Sequence, residues 1–394
     1  MLTQAMALKD EIIRLRRDIH QHPELSFQEV RTAKLVADTL AEIGYADIRT
    51  QVGRTGVVAQ IGTGDGPTIG IRADMDALPI IEAVDVPFKS TNDGVMHACG
   101  HDAHTAMLLG VAHLLHQSFV SEGERWHGTV RLLFQPSEEA FDAQGVSGAT
   151  AMISDGALEG VDKVIALHVA ADGEAGKLMF NDGYSLAAVD SFKAWVRGDG
   201  GHGAYPNKGS DPLFMLSTIL PHIYGIPSRR IDPQDPCVIS LGQISGGAAP
   251  NVIPREVFIQ GTIRSFKQET REQLWTELEQ AFKHVEVMGG SYEIEMIKGY
   301  PSLYNNAEVN DWMRDVAREM SGDEVIVNER FGMGAEDFAY MAQAAPGAMF
   351  MLGAKVPGGG NHHTDYFDID ENVFPMGAAV LAETARRFVT GDLA

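Results

Sequence analysis

Cysteine and histidine are concentrated in one short run, MHACGHDAHTAMLLG, at positions 96–110. Cys99 and His101 flank Gly100, and because glycine allows a tight turn, a thiolate and an imidazole could face one ion. These ligand types suit zinc and similar borderline metals, and nearby carboxylates extend the choice to manganese or cobalt. A helix predicted to begin near Asp102 would place its N-terminal dipole beside the thiol and favour the thiolate. The run therefore predicts a metal site, the alternative being a free cysteine beside helix-capping residues.

A pair of adjacent carboxylates, Glu138 and Glu139, follows the apolar run Thr129–Phe134. Neighbouring residues at the end of a strand point in different directions, so one carboxylate can bind a metal while the other faces water. The metal would lower the pKa of that water, and the second carboxylate would accept its proton. A solvated acidic pair is the alternative in so acidic a chain, but Pro136 and the buried-looking strand argue against it.

Metal-ligating residue types also follow other apolar runs. They are Asp74 and Asp76 after Thr68–Ala73, His168 after Val164–Leu167, and His362 and His363 after Ala348–Leu352. In open α/β sheets the functional site lies at the carboxyl ends of the strands. The sequence therefore predicts that four segments deliver their polar side chains to one rim of a sheet.

The elements that must position these residues fall into two patterns. In the first half and near the C-terminus, near-continuous apolar strands alternate with amphipathic helices, which predicts an α/β domain with a mixed, mostly parallel sheet and helices on both faces. Between residues 189 and 300 the order becomes β-α-β-β-α-β, the ferredoxin-like arrangement of a complete small domain. We therefore predict a metal-binding catalytic domain of residues 1–188 and 301–394, interrupted by an inserted domain of residues 189–300.

Composition narrows the classes of function. The chain has 54 acidic and 31 basic residues and a formal net charge of −23, so it repels nucleic-acid phosphates and anionic membranes. No apolar run of about 18 residues is present that could span a bilayer, and the N-terminal segment lacks the apolar core of a signal peptide. The two cysteines, Cys99 and Cys237, cannot build a disulfide framework, which predicts a reducing, cytoplasmic location.

Three residues of the predicted inserted domain are further candidates. His202 lies among glycines in RGDGGHGAYP, so its ring is expected to be exposed and able to donate a hydrogen bond to a developing oxyanion. Asn251 offers an amide between two prolines in APNVIP. Arg264 ends a predicted strand and could clamp a substrate carboxylate. The alternatives are a turn histidine for His202 and a surface salt bridge for Arg264.

Taken together, these motifs resemble the aminoacylase, hippurate hydrolase and indole-acetyl-amino-acid hydrolase family of dinuclear metallopeptidases. The similarity runs in order from about Arg16 to about Glu371, through RRDIHQHPELSFQE, IRADMDALPI, MHACGHDAHTAMLLG, LLFQPSEE, ALHV, APNVIP, GTIRSF, GAEDFAYM and His363 shortly before DYFDIDE. The resemblance implies two divalent metal ions, with zinc, manganese, cobalt or nickel as candidates. The ligand positions that it implies are Cys99, His101, Glu139, His168 and His363.

The same resemblance implies roles for other residues. Glu138 takes the place of the general base, and His202 takes the place of a histidine that holds the scissile carbonyl, often in the partner subunit's site. Asn251 and Arg264 fall where the family contacts the substrate carbonyl and carboxylate. Asp76 falls where a carboxylate orients a metal ligand. The inserted domain is expected to act as a lid and to form a homodimer or a dimer-based oligomer.

Two departures from the family pattern affect the site. The segment after Glu139 carries the insertion FDAQGVSGAT at residues 141–150, which could reshape the substrate pocket. The last metal histidine stands in His362-His363-Thr364-Asp365. The family frame selects His363, with His362 as the alternative ligand.

The expected activity is metal-dependent hydrolysis of the amide bond of N-acyl amino acids or similar small conjugates. A dipeptidase or carboxypeptidase on the same scaffold is the first alternative, because pocket shape separates these activities. A metal-stabilised binding protein without catalysis is the second. That alternative predicts a damaged base or an incomplete ligand set, whereas Glu138 and all the implied ligand positions are filled.

Overall fold

The computed structural model describes residues 1–393, which form two compact units. The first unit comprises Met1–Gly183, Tyr304–Phe331 and the segment from Asp337 to the C-terminal end. The second comprises Tyr184–Leu303 and Gly332–Glu336. The second unit therefore interrupts the first along the chain. Over the described residues, every helix is too short or too polar to cross a membrane.

The α-helices, in chain order, are α1 (Leu2–Ala7), α2 (Lys9–Gln21), α3 (Val30–Ile43), α4 (His101–Glu122), α5 (Gly148–Ser154), α6 (Pro212–Arg229), α7 (Gln268–Lys283), α8 (Ala307–Ser321), α9 (Phe338–Ala344) and α10 (Phe374–Thr390). The strands are β1 (Asp47–Val52), β2 (Gly56–Gly62), β3 (Thr68–Asp74), β4 (Thr129–Gln135), β5 (Lys163–Ala170), β6 (Leu178–Phe180), β7 (Gly183–Leu186), β8 (Ala188–Arg197), β9 (Gly201–His202), β10 (Cys237–Gly246), β11 (Val252–Ile253), β12 (Glu256–Ser265), β13 (Ser291–Lys298), β14 (Leu303–Asn305), β15 (Ile326–Asn328) and β16 (Gly347–Gly353).

The first unit is built on an eight-stranded sheet with the strand order β1-β2-β4-β3-β5-β16-β6-β15. Its central strands β4, β3, β5 and β16 run parallel to one another. Antiparallel pairs occur between β1 and β2, β2 and β4, and β16 and β6. The predicted mixed, mostly parallel α/β sheet is thus confirmed.

Burial explains why the central strands have near-continuous apolar sequences. Every residue of β3 is buried, and so is all of β4 except Arg131. Because successive side chains of a strand point to opposite faces, both faces of these strands must be covered. The helix α4 is likewise buried at each position from His101 to Val111, so it is covered on all sides at its beginning, where polar residues of the site stand among apolar ones.

The second unit has its own core and a four-stranded antiparallel sheet with the order β10-β12-β8-β13. Along the chain its main elements follow the order β8-α6-β10-β12-α7-β13, which is the βαββαβ arrangement. The alternating sequence of β8 buries Phe192, Ala194 and Val196 on one face. Ile219 of α6 and Leu278 of α7 are fully buried in the same core.

In the described residues both edge strands of this second sheet have one partner, since β10 pairs with β12 alone and β13 with β8 alone. Val238 and Ile244 of β10 are 37% and 46% exposed. On the helix α6, Leu213, Phe214 and Tyr224 also expose apolar side chains. An open strand edge beside apolar surface is typical of a surface that pairs with another chain.

Candidate metal centre

The predicted ligands are carried by the carboxyl-terminal rim of the parallel strands in the first unit. Asp74 ends β3, Glu138 and Glu139 follow β4 closely, and His168 lies near the end of β5. Because parallel strands end at the same edge of a sheet, these side chains meet although they are far apart in sequence. The start of α4 joins this edge, since the Thr105 hydroxyl donates a hydrogen bond to the backbone oxygen of Asp74 at 2.7 Å.

Two groups of potential ligand atoms share one thiol. Cys99, His101 and His168 place their ligand atoms within 4.8 Å of one another, and so do Cys99, Glu139 and His363. The Cys99 Sγ atom lies 3.5 Å from His168 Nε2. In the second group, His363 Nε2 lies 3.1 Å from Glu139 Oε1. The structure thus brings all five predicted ligands together, with Cys99 in a position common to both groups.

The imidazoles are oriented as metal ligands require. His101 Nδ1 donates a hydrogen bond to the backbone oxygen of Asp76 at 2.9 Å. Its Nε2 atom is buried and has no hydrogen-bond partner among residues 1–393, although buried polar atoms are normally satisfied. His168 Nδ1 donates to the backbone oxygen of Val169 at 2.6 Å, which turns its Nε2 towards Cys99. In each ring the hydrogen bond at Nδ1 fixes the tautomer and turns Nε2 towards the other possible ligands, so that Nε2 can bind an ion.

The buried carboxylates of the site favour the binding of positive charge. Burial, together with the carboxylates of Glu139 and Glu138, raises the pKa of the Cys99 thiol well above its ordinary value. Burial acts to lower the pKa of His101, but the carboxylates of Asp74 and Asp76 outweigh it and raise this pKa to about 10. In the absence of an ion, desolvation and the nearby carboxylates therefore outweigh the helix dipole that was expected to favour the thiolate. Divalent cations would supply the missing charge and bind the thiolate, so the donor set fits a two-metal site.

Asp76 connects the ligands to the residue predicted as the base. Its Oδ1 atom accepts a hydrogen bond from the Glu138 backbone amide at 3.0 Å and lies 3.2 Å from His101 Nδ1. Its Oδ2 atom accepts from the Glu139 amide at 3.0 Å and from the Ser26 hydroxyl at 2.6 Å. One buried carboxylate thus fixes a histidine ring and the backbone of both glutamates.

Replacing Asp76 with Asn should weaken metal binding by about 10- to 100-fold, as is common when a partner of a metal ligand is lost. The amide cannot accept hydrogen bonds at both of its heteroatoms, so the ring and the glutamate turn lose their common anchor. Competition against a chelator of known affinity measures the effect, and Asp65→Asn on an exposed loop is the matched control. Unchanged metal affinity in Asp76→Asn would contradict this role.

The rim also contains two charged residues, Arg72 and Asp337, that sequence reasoning did not predict. The Arg72 guanidinium is buried and donates to Asp74 Oδ2 at 2.7 Å, to Gln135 Oε1 at 2.9 Å and to Asp337 Oδ1 at 3.1 Å. The Asp337 backbone amide donates to Glu138 Oε1 at 3.3 Å. The sequence signal for Arg72 was a single arginine in an apolar strand, because a buried charge needs partners of opposite charge or hydrogen-bond acceptors.

Two neighbouring histidines serve other purposes. His104 Nδ1 donates to Asp74 Oδ1 at 2.6 Å, and its Nε2 accepts from the Val169 amide at 2.9 Å. The Nε2 atom of His362 accepts from the Ala171 amide at 3.0 Å. Both Nε2 atoms are therefore engaged with backbone, and the geometry favours His363 over His362 as a ligand.

The candidates in the second unit fall into two places. His202 in β9 pairs with Val252 in β11, and the Gly203 amide donates to the backbone oxygen of Asn251 at 2.8 Å, so His202 and Asn251 lie together. Both are near the Glu256 end of β12. Arg264 is at the other end of that strand, where it pairs with Val189 and donates to the backbone oxygen of Ile263 at 3.1 Å. At about 3.3 Å per residue, the two ends are about 26 Å apart.

The chain is similar in sequence and structure to several known proteins. Residues 70–387 match the model of "Peptidase family M20/M25/M40". The chain is 40% identical over 388 residues to "Thermostable carboxypeptidase 1" of Saccharolobus solfataricus, covering 97% of this chain and 96% of that protein. It is 37% identical over 392 residues to "N-acetyl-L-cysteine deacetylase" of Bacillus subtilis, covering 98% of this chain and 90% of that protein. The crystal structure of the Bacillus subtilis YXEP protein, described as a dinuclear metal-binding peptidase from the M20 family, matches with a TM-score of 0.84 and 31% identity over 98% of this chain and 99% of that one.

Proposed function

The chain belongs to peptidase family M20/M25/M40 and is an enzyme of metal-dependent amide hydrolysis, and we propose that its substrates are N-acyl amino acids or similar small amino-acid conjugates. The observation that carries this proposal is the rim on which both ligand groups meet Glu138. Relatives named as an N-acetyl-L-cysteine deacetylase and as a carboxypeptidase support amides of amino acids as the substrate class.

In this proposal the residues of the rim divide the chemistry between them. Divalent ions bound by the five ligands would polarise the scissile carbonyl and lower the pKa of water. Glu138 is buried, and its carboxylate is held by the Asp337 amide, so it is placed to accept a proton from the attacking water and to return it to the leaving amine. His202 would donate a hydrogen bond to the carbonyl oxygen as negative charge develops there.

The test is a screen of N-acetyl amino acids and dipeptides with added zinc, manganese, cobalt or nickel, with the products identified by mass spectrometry. We expect N-acetyl amino acids to be cleaved, the activity to disappear with a chelator and to return with metal. Cleavage restricted to dipeptides or to the C-terminal residue of longer peptides would favour the dipeptidase or carboxypeptidase alternative, which the similarity to a named carboxypeptidase supports. No metal-dependent cleavage in either set would contradict the proposal.

Arg264 is proposed to bind the free carboxylate of the substrate. Arg264→Ala should raise KM by about 10- to 100-fold and change kcat much less, because this contact is equal in the ground and transition states. Steady-state kinetics on an N-acetyl amino acid and on its C-terminal amide separate the two quantities. The amide lacks the carboxylate, so the substitution should change its hydrolysis little. Arg229→Ala at the exposed end of α6 is the control, and an equal loss on both substrates would contradict the role.

We further propose a homodimer formed through the second unit. The open edge of β10 and the exposed apolar side chains of α6 support it. The separation of about 26 Å between the two ends of β12 supports it as well, since His202 and Arg264 of one protomer cannot contact the same small substrate. A second copy would supply the His202 that is missing from a site that uses Arg264.

Mixing two inactive variants tests this arrangement. His202→Ala and Glu138→Gln should each be nearly inactive, whereas their heterodimers should have one intact site. An equal mixture that exchanges subunits should therefore recover about one quarter of the wild-type activity. Sedimentation should give twice the chain mass of 42.7 kDa for the wild type and a monomer for the double variant Phe214→Glu, Ile244→Lys. A monomeric wild type, or no recovery in exchanging mixtures, would contradict the homodimer.

The two units and the chemistry of Cys99 suggest how the chain is organised and where it works. We propose that the first unit is the metal-binding catalytic domain and that the second is the inserted lid and dimerisation domain. A thiol that binds metal must stay reduced, and only one further cysteine is present in the sequence. We therefore place the enzyme in the cytoplasm.

A further inference from the structure

Glu29 is a fully buried carboxylate that is neither a proposed metal ligand nor the proposed base. It lies at the start of α3, in the segment HPELSFQE. Its Oε1 atom accepts hydrogen bonds from the Ser137 amide at 2.8 Å and the Phe27 amide at 2.9 Å. Its Oε2 atom accepts from the Thr55 hydroxyl at 2.5 Å. Glu29 therefore joins three separate chain segments, and one of these directly precedes Glu138.

Each of those segments contains a residue in the left-handed region of backbone conformation. Ser137 has a φ of +46°, Phe27 has a φ of +59°, and Arg54, which precedes Thr55, has a φ of +81°. Non-glycine residues hold such angles only where surrounding contacts impose them, and they cluster at functional sites. The hydrogen bonds to Glu29 are contacts of this kind, and at Ser137 they hold the turn that carries the catalytic glutamate.

The turn is held from two sides. Glu29 binds the amide of Ser137, and Asp76 binds the next two amides, those of Glu138 and Glu139. Three successive amides thus point to two buried carboxylates. This fixes the backbone from which the proposed base and its neighbouring ligand project.

Two buried carboxylates close together lower the stability of the folded state, so they are not expected where fold stability is the only requirement. Burial, and then the charge of Asp76, raises the pKa of Glu29 to about 7, against the hydrogen bond from Thr55. A neutral side chain of similar shape would avoid this desolvation. The arrangement therefore indicates a requirement for acceptors at both of the Glu29 oxygens, and the residue that they constrain lies next to the base.

We propose that Glu29 is a positioning residue, which holds the Ser137–Glu139 turn so that the Glu138 carboxylate is aimed for proton transfer; this inference rests on the proposed role of Glu138. Without the Glu29 acceptor, Ser137 relaxes towards an ordinary backbone conformation and carries Glu138 with it. Displacement of a catalytic group by about 1 Å can cost a factor of about 100 in rate.

Glu29→Leu is the direct test, because leucine offers no acceptor to the Ser137 amide, whereas glutamine would keep an oxygen there. Glu24→Leu is the matched control. Glu24 belongs to the same segment and also accepts from two amides, those of Arg31 and Thr32 at 2.9 and 2.8 Å, but these amides belong to α3. Glu29→Leu should lower kcat by about 10- to 100-fold, change KM less than about threefold and keep the metal content of the wild type. Glu24→Leu should keep kcat within about twofold at a similar loss of thermal stability.

A rescue experiment separates positioning from general stability. Glycine adopts a positive φ without strain, so adding Ser137→Gly to Glu29→Leu should recover part of the lost kcat. A purely structural function of Glu29 at Phe27 and Thr55 would not be rescued at position 137. If Glu29→Leu does not fold, Thr55→Val removes one of the three hydrogen bonds and should lower kcat in the same direction by a smaller factor.

Amide hydrogen exchange gives a readout that does not depend on turnover. In Glu29→Leu the peptide that covers residues 135–140 should exchange faster than in the wild type, and in Glu24→Leu it should not. An inactive wild type would overturn the proposed function, whereas unchanged exchange in Glu29→Leu would overturn the positioning role alone. A folded Glu29→Leu with kcat within twofold of the wild type, or an equal loss of kcat in Glu24→Leu, would also overturn it.

Discussion

Glu138→Gln should lower kcat by about 10⁴-fold while the protein keeps its metal ions. The amide has the shape of the carboxylate, and its oxygen can still accept the hydrogen bond from the Asp337 backbone amide. It cannot, however, take a proton from water or return it to the leaving amine. Steady-state kinetics and elemental analysis of the same preparation measure the two parts of the prediction.

The comparison variant for this experiment is Glu159→Gln, on an exposed turn outside the rim. It should behave as the wild type in both measurements. If Glu138→Gln kept kcat within about tenfold of the wild type, another group would have to move the proton. If it lost its metal, Glu138 would belong among the ligands instead, a possibility raised by its grouping with His101 and Glu139.

Cys99→Ala should reduce the bound metal from two ions to fewer than one per chain and lower kcat by about 10³-fold or more. The reason is that Cys99 belongs to both ligand groups, so its loss weakens the binding of either ion. The remaining histidines and Glu139 then provide two incomplete sets of ligands. Elemental analysis after dialysis gives the stoichiometry, and assays over a range of metal concentrations show whether excess metal restores turnover.

The chain provides its own control for the thiol. Cys237→Ala changes the other free cysteine, which lies at the start of β10 in the second unit, and it should leave the metal content and kcat unchanged. Thiol-modifying reagents should inactivate the wild type and the Cys237→Ala variant equally. Two tightly bound ions in Cys99→Ala would show that the thiol is not a ligand of either one.

The sequence predicted the rim well because strand ends are local features. Apolar runs followed by Asp, Glu or His identify both the strand and the residue that leaves it, and the parallel arrangement then brings these residues together. Glu29 and Asp337 could not be predicted in this way. Glu29 lies 108 positions from Ser137, and Asp337 lies 199 positions from Glu138. Such pairings depend on how the loops pack against each other. A periodic pattern of apolar residues contains no information about that packing.

The pKa of Cys99 and the strands near the edge of the sheet could not be predicted from the sequence either. The helix dipole beside Cys99 is a local feature, but burial and the carboxylates of distant segments reverse its effect on the thiol pKa. Strand β1 is polar, with an exposed or half-exposed residue at each position up to Gln51, and β6 and β15 have three residues each. A strand that is polar, or that has only three residues, is too weak or too short a pattern to be recognised.

The position of β16 has a consequence for how this protein is made. This strand comes from the last fifth of the chain, yet it pairs with β5 on one side and β6 on the other. While a ribosome is still synthesising residues before Gly347, the edges of β5 and β6 face each other without a partner, and His363 has not been made. Until then the nascent chain has open strand edges, which favour misassociation with other chains. Since His363 is a proposed metal ligand, we expect chains that stop before Gly347 to expose these edges and to lack hydrolytic activity.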